Sequence, residues 1–181
     1  MTDSELIEKI NSGNTQAFKE LIEKYQGVVF RTAMGFVHSK ADADDLTQEV
    51  FIRVFESLHS FKGKAEFSTW LYRITANCSI NFIKRNSKNR LLLSLENIFN
   101  YYSNEKTPLE QLEAAERDRL IKAAIDRLPT SQRTAFVLSR YEELPQKEVA
   151  RIMNKSEGAV EQLLQRAKGN LQKKLDKTVG K

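Results

Sequence analysis

The sequence predicts an all-α protein of two helical domains joined by a flexible linker, the second domain carrying a helix-turn-helix. Three observations lead there. Seven glycines and three prolines in 181 residues leave little strand-and-turn punctuation. Apolar residues recur at spacings of three and four along most of the chain. That period lapses over residues 86–108, where Asn, Ser, Lys and Tyr dominate and Thr107-Pro108 marks a boundary. The expected domains are therefore residues 1–88 and 109–181, with residues 89–108 as the linker.

The elements follow in order. A first helix runs from about Asp3 to Ile10 and stops at Asn11-Ser12-Gly13-Asn14, where Gly13 and Asn14 suit a left-handed helix end. Phe18, Leu21, Ile22, Tyr25, Val28, Val29, Thr32 and Phe36 form the apolar stripe of a second, longer helix. Ser39 is placed to cap a third, with Asp42, Asp44 and Asp45 near the positive end of its dipole. Leu46, Val50, Phe51, Val54 and Leu58 are its buried side, which leaves Asp45, Gln48, Glu49 and Arg53 on a polar face. Residues 61–64 read as a loop. A fourth helix begins at Phe67-Ser68 and continues to about Arg85, with Leu71, Ile74, Cys78 and Phe82 inward. Leu91 to Leu95 is an apolar patch within the polar tether. Helical spacing resumes at Leu109 and ends at Leu128-Pro129. Three short helices then fit at Ser131–Tyr141, Gln146–Met153 and Ser156 to about Leu175.

Composition excludes several classes of protein. No apolar run approaches the ~18 residues of a membrane-spanning helix, and the start MTDSELIEKI has neither the charge nor the apolar core of a secretion signal. A cytoplasmic chain without membrane insertion is expected. One cysteine allows no internal disulfide, and with only two histidines beside it no Cys/His zinc site can be assembled. No metal or cofactor is expected. Charge is unevenly placed: residues 1–56 hold ten acids and six bases, residues 57–181 fourteen acids and twenty-three bases. A net of −4 at one end and +9 over the rest points to two kinds of partner, one a polyanion.

The C-terminal pattern carries the sharpest local information. Val149, Ile152 and Met153 face inward on a short helix, Ala150 permits a close helix crossing, and Asn154 occupies a turn that needs a residue tolerant of the left-handed region. Ser156 then caps a helix whose buried side is Val160, Leu163, Leu164, Ala167, Leu171 and Leu175. This is a helix-turn-helix, which enters the major groove by the start of its second helix. Gly158, Ala159, Glu161, Gln162, Gln165 and Arg166 remain outward. Gln pairs with adenine, Arg with guanine, and Ala159 can meet a thymine methyl. Lys155, Lys168, Lys173 and Lys174 suit phosphates. The bland alternative is a helical hairpin with a solvated face.

On the fourth helix Arg73, Asn77, Asn81, Lys84 and Arg85 share a polar, basic face, with Trp70 and Tyr72 beside it. Rings for stacking, charge for phosphates and amides for base edges suit unpaired nucleic acid. The competing reading makes Trp70 a core residue.

The order Asp42-x-x-Asp45-Leu-x-Gln48-Glu49-x-Phe51, then Phe67-x-Thr-Trp70-Leu-x-Arg73-Ile, then the helix-turn-helix, resembles the bacterial RNA polymerase sigma factors of the extracytoplasmic-function (ECF) group. The resemblance spans roughly Ala17 to Leu175. It implies that Asp45, Gln48, Glu49 and Arg53 dock on core RNA polymerase. It implies that the loop 61–66 with Trp70, Arg73, Asn77 and Asn81 opens the −10 promoter element and captures a flipped base, with Lys84 and Arg85 on phosphates. Ser156, Gly158, Ala159, Glu161, Gln162, Gln165, Arg166 and Lys168 would read the −35 element. Promoter DNA, core polymerase and an anti-sigma factor are the implied partners. Glu161 and Leu163 depart from the family, many members carrying bases there. Two other classes stand against this reading. A conventional helix-turn-helix regulator would bind duplex DNA without polymerase, but it explains neither Trp70 beside Arg73 and Asn77 nor the Asp45/Glu49 face. An enzyme would need Asp42, Asp45 and Glu49 as metal ligands, and no nucleophile–base pair or phosphate-binding glycine loop accompanies them.

Overall fold

A computed structural model describes the backbone of residues 1–100 and 109–179 and the side chains of residues 1–86 and 115–175. The described residues are helical and contain no strand. Helix α1 (Asp3–Asn11) opens with a capping box: the Glu5 amide donates to Thr2 Oγ1 at 3.3 Å and the Thr2 amide to Glu5 Oε2 at 2.8 Å. Gly13 turns the chain at φ 94°. Asn14 is extended, not left-handed, because it caps α2 (Thr15–Val37) by accepting from the Ala17 amide at 3.2 Å. His38 ends α2 in the left-handed region, and Ser39 caps α3 (Lys40–Ser57) as expected. A short 3-10 turn, Leu58–Ser60, leads through the loop to α4 (Phe67–Asn100).

Leu21, Val29, Phe36, Leu46, Val50, Val54, Leu58 and Leu71 make the first core and are almost fully buried. Helix α4 runs well past the expected end near Arg85. Residues 86–100 hold no proline or glycine, so nothing local stops it. The side chains of Leu91 to Leu95 lie outside the described residues.

The second half comprises α5 (Leu109–Asp126), α6 (Thr130–Arg140), α7 (Gln146–Met153) and α8 (Glu157–Val179). Its core is Ala135, Leu138, Val149, Ala150, Ile152 and Val160. The two cores touch: Val137 of α6 joins the first, and Tyr72 of α4 packs on the second.

Candidate nucleic-acid interface

Three surfaces carry the residues singled out above. On α3, Asp45 and Gln48 are exposed, as their place off the Leu46/Val50 stripe requires. Glu49 is more engaged. Its Oε1 accepts from Arg53 Nε at 3.2 Å and Nη2 at 3.0 Å, and its Oε2 accepts from Arg85 Nη2 at 3.2 Å. Burial works against the charge of Glu49, but these bonds outweigh it and hold the carboxyl below the usual range. Arg85 therefore has an acidic partner on α3. Sequence reasoning also missed Ile52 and Phe55, which lie off the buried stripe and stand 59% and 54% exposed. The Phe18 ring meets that of Phe55 edge to face at 4.9 Å.

On α4, Asn77, Asn81, Lys84 and Arg85 are exposed. Asn77 and Asn81 face an open hollow of about 350 Å³ with Cys78 and Ile74, lined on its other side by Arg53 of α3 and His59 of the 3-10 turn. His59 escaped the sequence reading because it lies in the irregular turn. Cys78 itself is 2% exposed, and burial pushes its thiol up to about 11. The aromatic residues behave differently from a free stacking platform. Trp70 is partly buried, its ring 5.2 Å from Phe61 and 5.7 Å from Phe67. Tyr72 points away to the second domain and donates to Glu142 Oε2 at 3.2 Å. Arg73 does the same: its Nε donates to the Ile152 carbonyl at 2.9 Å and its Nη2 to that of Arg151. The structure thus brings Asn77 and Asn81 together over one hollow, and Asn77 also lines a second hollow with Arg73, beside Ile152 and Asn154.

The third surface is the helix-turn-helix. Asn154 adopts φ 53° and ψ 50°, and the Ala159 amide donates to Ser156 Oγ at 3.2 Å. Gly158, Glu161, Gln162, Gln165, Arg166 and Lys168 are exposed, whereas Ala159 is half-buried. Gln165 leans on Glu161 at 3.4 Å. Leu163, partly buried against the second core, is a packing residue. Lys173 stays exposed, but Lys174 donates to the Arg127 carbonyl at 3.2 Å and is held back along its own domain. Among the described residues no group of three or more His, Cys, Asp or Glu is arranged to hold a metal ion.

Residues 21–89 match the family model "Sigma-70 region 2", and residues 118–171 match "Sigma-70, region 4". The chain is 32% identical to the ECF RNA polymerase sigma-E factor of Haemophilus influenzae, over 97% of this chain and 96% of the relative. The chain belongs to the ECF sigma factors. As a member it serves promoter-specific initiation of transcription by RNA polymerase. It is also similar to the RNA polymerase sigma-H factor of Pseudomonas aeruginosa, 29% identical over 96% of this chain and 93% of that one. In fold this sigma factor resembles CnrH, solved in complex with the cytosolic domain of CnrY, with a TM-score of 0.67 and 25% identity over 96% and 97% of the two chains. The region 2 match covers the α3 face and the Asn77/Asn81 hollow, and the region 4 match covers α7 and the first part of α8.

Proposed function

We propose that residues 1–88 form the polymerase-docking and −10-reading domain, that residues 109–181 form the −35-reading domain, and that residues 89–108 join them. The observation that carries this is the pairing, in one chain, of two exposed amides over a small hollow on α4 with an exposed recognition helix on α8. A hollow of about 350 Å³ is within the size of small-ligand sites, and paired amides read the Watson–Crick edge of a base drawn out of the stack. Asp45, Gln48, Glu49 and Arg53 offer core polymerase a polar strip, with Asp45 and Gln48 exposed and Glu49 paired to Arg53 and Arg85, which Ile52 and Phe55 extend with apolar area. Ser156, Gly158, Ala159, Glu161, Gln162, Gln165, Arg166 and Lys168 face the −35 duplex. The chain is a binding subunit, not an enzyme, and works in the cytoplasm beside the polymerase. An anti-sigma protein is its regulatory partner, a reading supported by the complex that CnrH forms with a cytosolic domain.

Transcription by the chain with core polymerase tests this. Asn77→Ala should slow initiation on a duplex promoter and recover part of the loss on a template already mismatched at −10, where unstacking has been done in advance. Equal defects on both templates would make Asn77 a packing residue. A conventional regulator would leave core polymerase uncaptured in a pull-down.

A further inference from the structure

Arg53 shares a sequence motif with Asp45, Gln48 and Glu49, but the helix turns it elsewhere. At about 100° per residue, Arg53 lies about 80° round α3 from Asp45 and about 140° from Gln48. That rotation takes it to the edge of the exposed strip, and its side chain lines the hollow of about 350 Å³ together with Asn77 and Asn81 of α4. Local sequence fixes this wall. Ser57 Oγ donates to the Arg53 carbonyl, Ser60 Oγ donates to the Ser57 carbonyl at 2.6 Å, and Leu58 is buried between them. The end of α3 and the 3-10 turn therefore form one side of the hollow, and α4 forms the other.

The guanidinium is held as well as placed. Glu49 Oε1 accepts from Nε and Nη2 of Arg53 at 3.2 and 3.0 Å. Those bonds use the Nε hydrogen and one on Nη2, so Nη1 keeps both of its donors. Glu49 is anchored in turn by Arg85 Nη2 at 3.2 Å. Half of the Arg53 side chain stays exposed. Around the same hollow the amides of Asn77 and Asn81, one helical turn apart, and the imidazole of His59 have no protein partner among the described residues. An ion pair one turn apart on a helix surface contributes little by itself. What distinguishes this one is that its arginine also lines a hollow ringed by unpartnered polar groups.

We propose that Arg53 is a base-reading residue of the −10 site: it donates through Nη1 to a carbonyl oxygen of the unpaired base that Asn77 and Asn81 receive, and Glu49 positions it. The proposal rests on the reading of the hollow as the seat of a base drawn out of the stack. The chemistry selects among bases. Thymine, cytosine and guanine each carry a ring carbonyl, whose lone pairs accept from an arginine, whereas adenine carries none. The three carbonyl bases are therefore preferred over adenine at this position.

The test uses holoenzyme assembled from the full chain and core polymerase. The probe is a labelled single-stranded DNA, selected on wild-type holoenzyme from a pool randomised across the −10 element, with each nucleotide in turn replaced by an abasic one. For wild type one position should lose about ten-fold or more in affinity, the range of a stacked base. Arg53→Ala should weaken the intact strand about five-fold and stay within about two-fold of wild type on the strand abasic at that position. A phosphate contact would lose equally on both strands, since the abasic one keeps its phosphate. With each base placed at that position, wild type should favour the carbonyl bases over adenine, and Arg53→Ala should lose the preference. If Arg53→Ala does not assemble with core polymerase, Arg53→Lys carries the test, because it keeps a charge beside Glu49 and removes the planar fork. Glu49→Gln should narrow the same preference, a readout that a loss of stability alone does not move. Equal losses for Arg53→Ala on intact and abasic strands, or adenine as the preferred base, would overturn the assignment of Arg53 and leave the hollow in place. A wild type with no abasic-sensitive position, or a sensitivity that survives Asn77→Ala, would overturn the hollow itself, and Arg53 with it.

Discussion

Glu49→Gln keeps the shape of a side chain that two arginines share and removes its charge. Exposed ion pairs contribute about 0.2–1 kcal/mol each, so losing the pairs to Arg53 and Arg85 should lower stability by ~1 kcal/mol. The same change leaves Arg85, 58% exposed, without its acid. An arginine newly able to meet a phosphate adds about 0.9 to the salt slope on duplex DNA and about 0.7 on a single strand. Non-specific DNA binding should therefore tighten and steepen with salt by about one, while binding to core polymerase falls. Urea melts, anisotropy across a salt series and co-elution with core polymerase read the three effects. The sign with pH is also determined. Glu49's carboxyl lies below its usual range, so its contribution is present above the unfolded value of about 4.3 and is lost as pH falls through the folded one. The stability gap between Glu49→Gln and wild type should be open at neutral pH and close in acid. An unchanged salt slope with unchanged core binding would refute the dual role, and a gap widening in acid would refute the electrostatic account.

Other consequences can be measured separately. Cys78→Ala should cost about 1–2 kcal/mol in a denaturant melt, and transcription should stay indifferent to peroxide, because burial leaves the thiol protonated at about 11. Asn154→Ala should cost about 1–2 kcal/mol at φ 53°, whereas Asn154→Gly should be close to neutral in thermal melts. Arg166→Ala should relax one or two −35 positions in a randomised promoter library, at about 1–3 kcal/mol, while Lys173→Ala should weaken all sequences and lower the salt slope by about one. A reversal of those two patterns would mean that α8 is rotated from the facing described.

What was legible depended on distance along the chain. The helix-turn-helix was readable because each of its determinants is local: the period of three and four, the left-handed Asn154, the Ser156 cap. Ala159 was misjudged only by degree, being half-buried at the edge of the outward face. The end of α4 was not readable, since residues 86–100 look polar but contain no helix breaker. Periodicity placed Arg73 and Arg85 on one face with Tyr72 beside it, but said nothing of partners 79, 36 and 70 residues away. Lys174 was lost in the same way, to a carbonyl 47 residues back. Ile52 and Phe55 left a usable signal, as apolar residues off the stripe of an otherwise regular helix.

The contact between the two halves is part polar and part apolar. Cations at helix C-termini contribute about 0.3–1 kcal/mol each, and up to ~2 in buried settings such as those of Arg73 and of Arg133, which donates to the Phe36 carbonyl in the last turn of α2. The Tyr72–Glu142 bond adds about 1 kcal/mol, against which burial of the Glu142 carboxyl raises its pKa and subtracts. These polar contacts come to about 2–5 kcal/mol before the apolar ones are added, in which Val137 of α6 sits in the first core and Tyr72 of α4 packs on the second. The polar share is the part that contacts to phosphate can replace. The residue that illustrates this is Arg73, whose guanidinium finds carbonyl oxygens at the end of α7 when the chain is closed and can find phosphate or base oxygens when it is open.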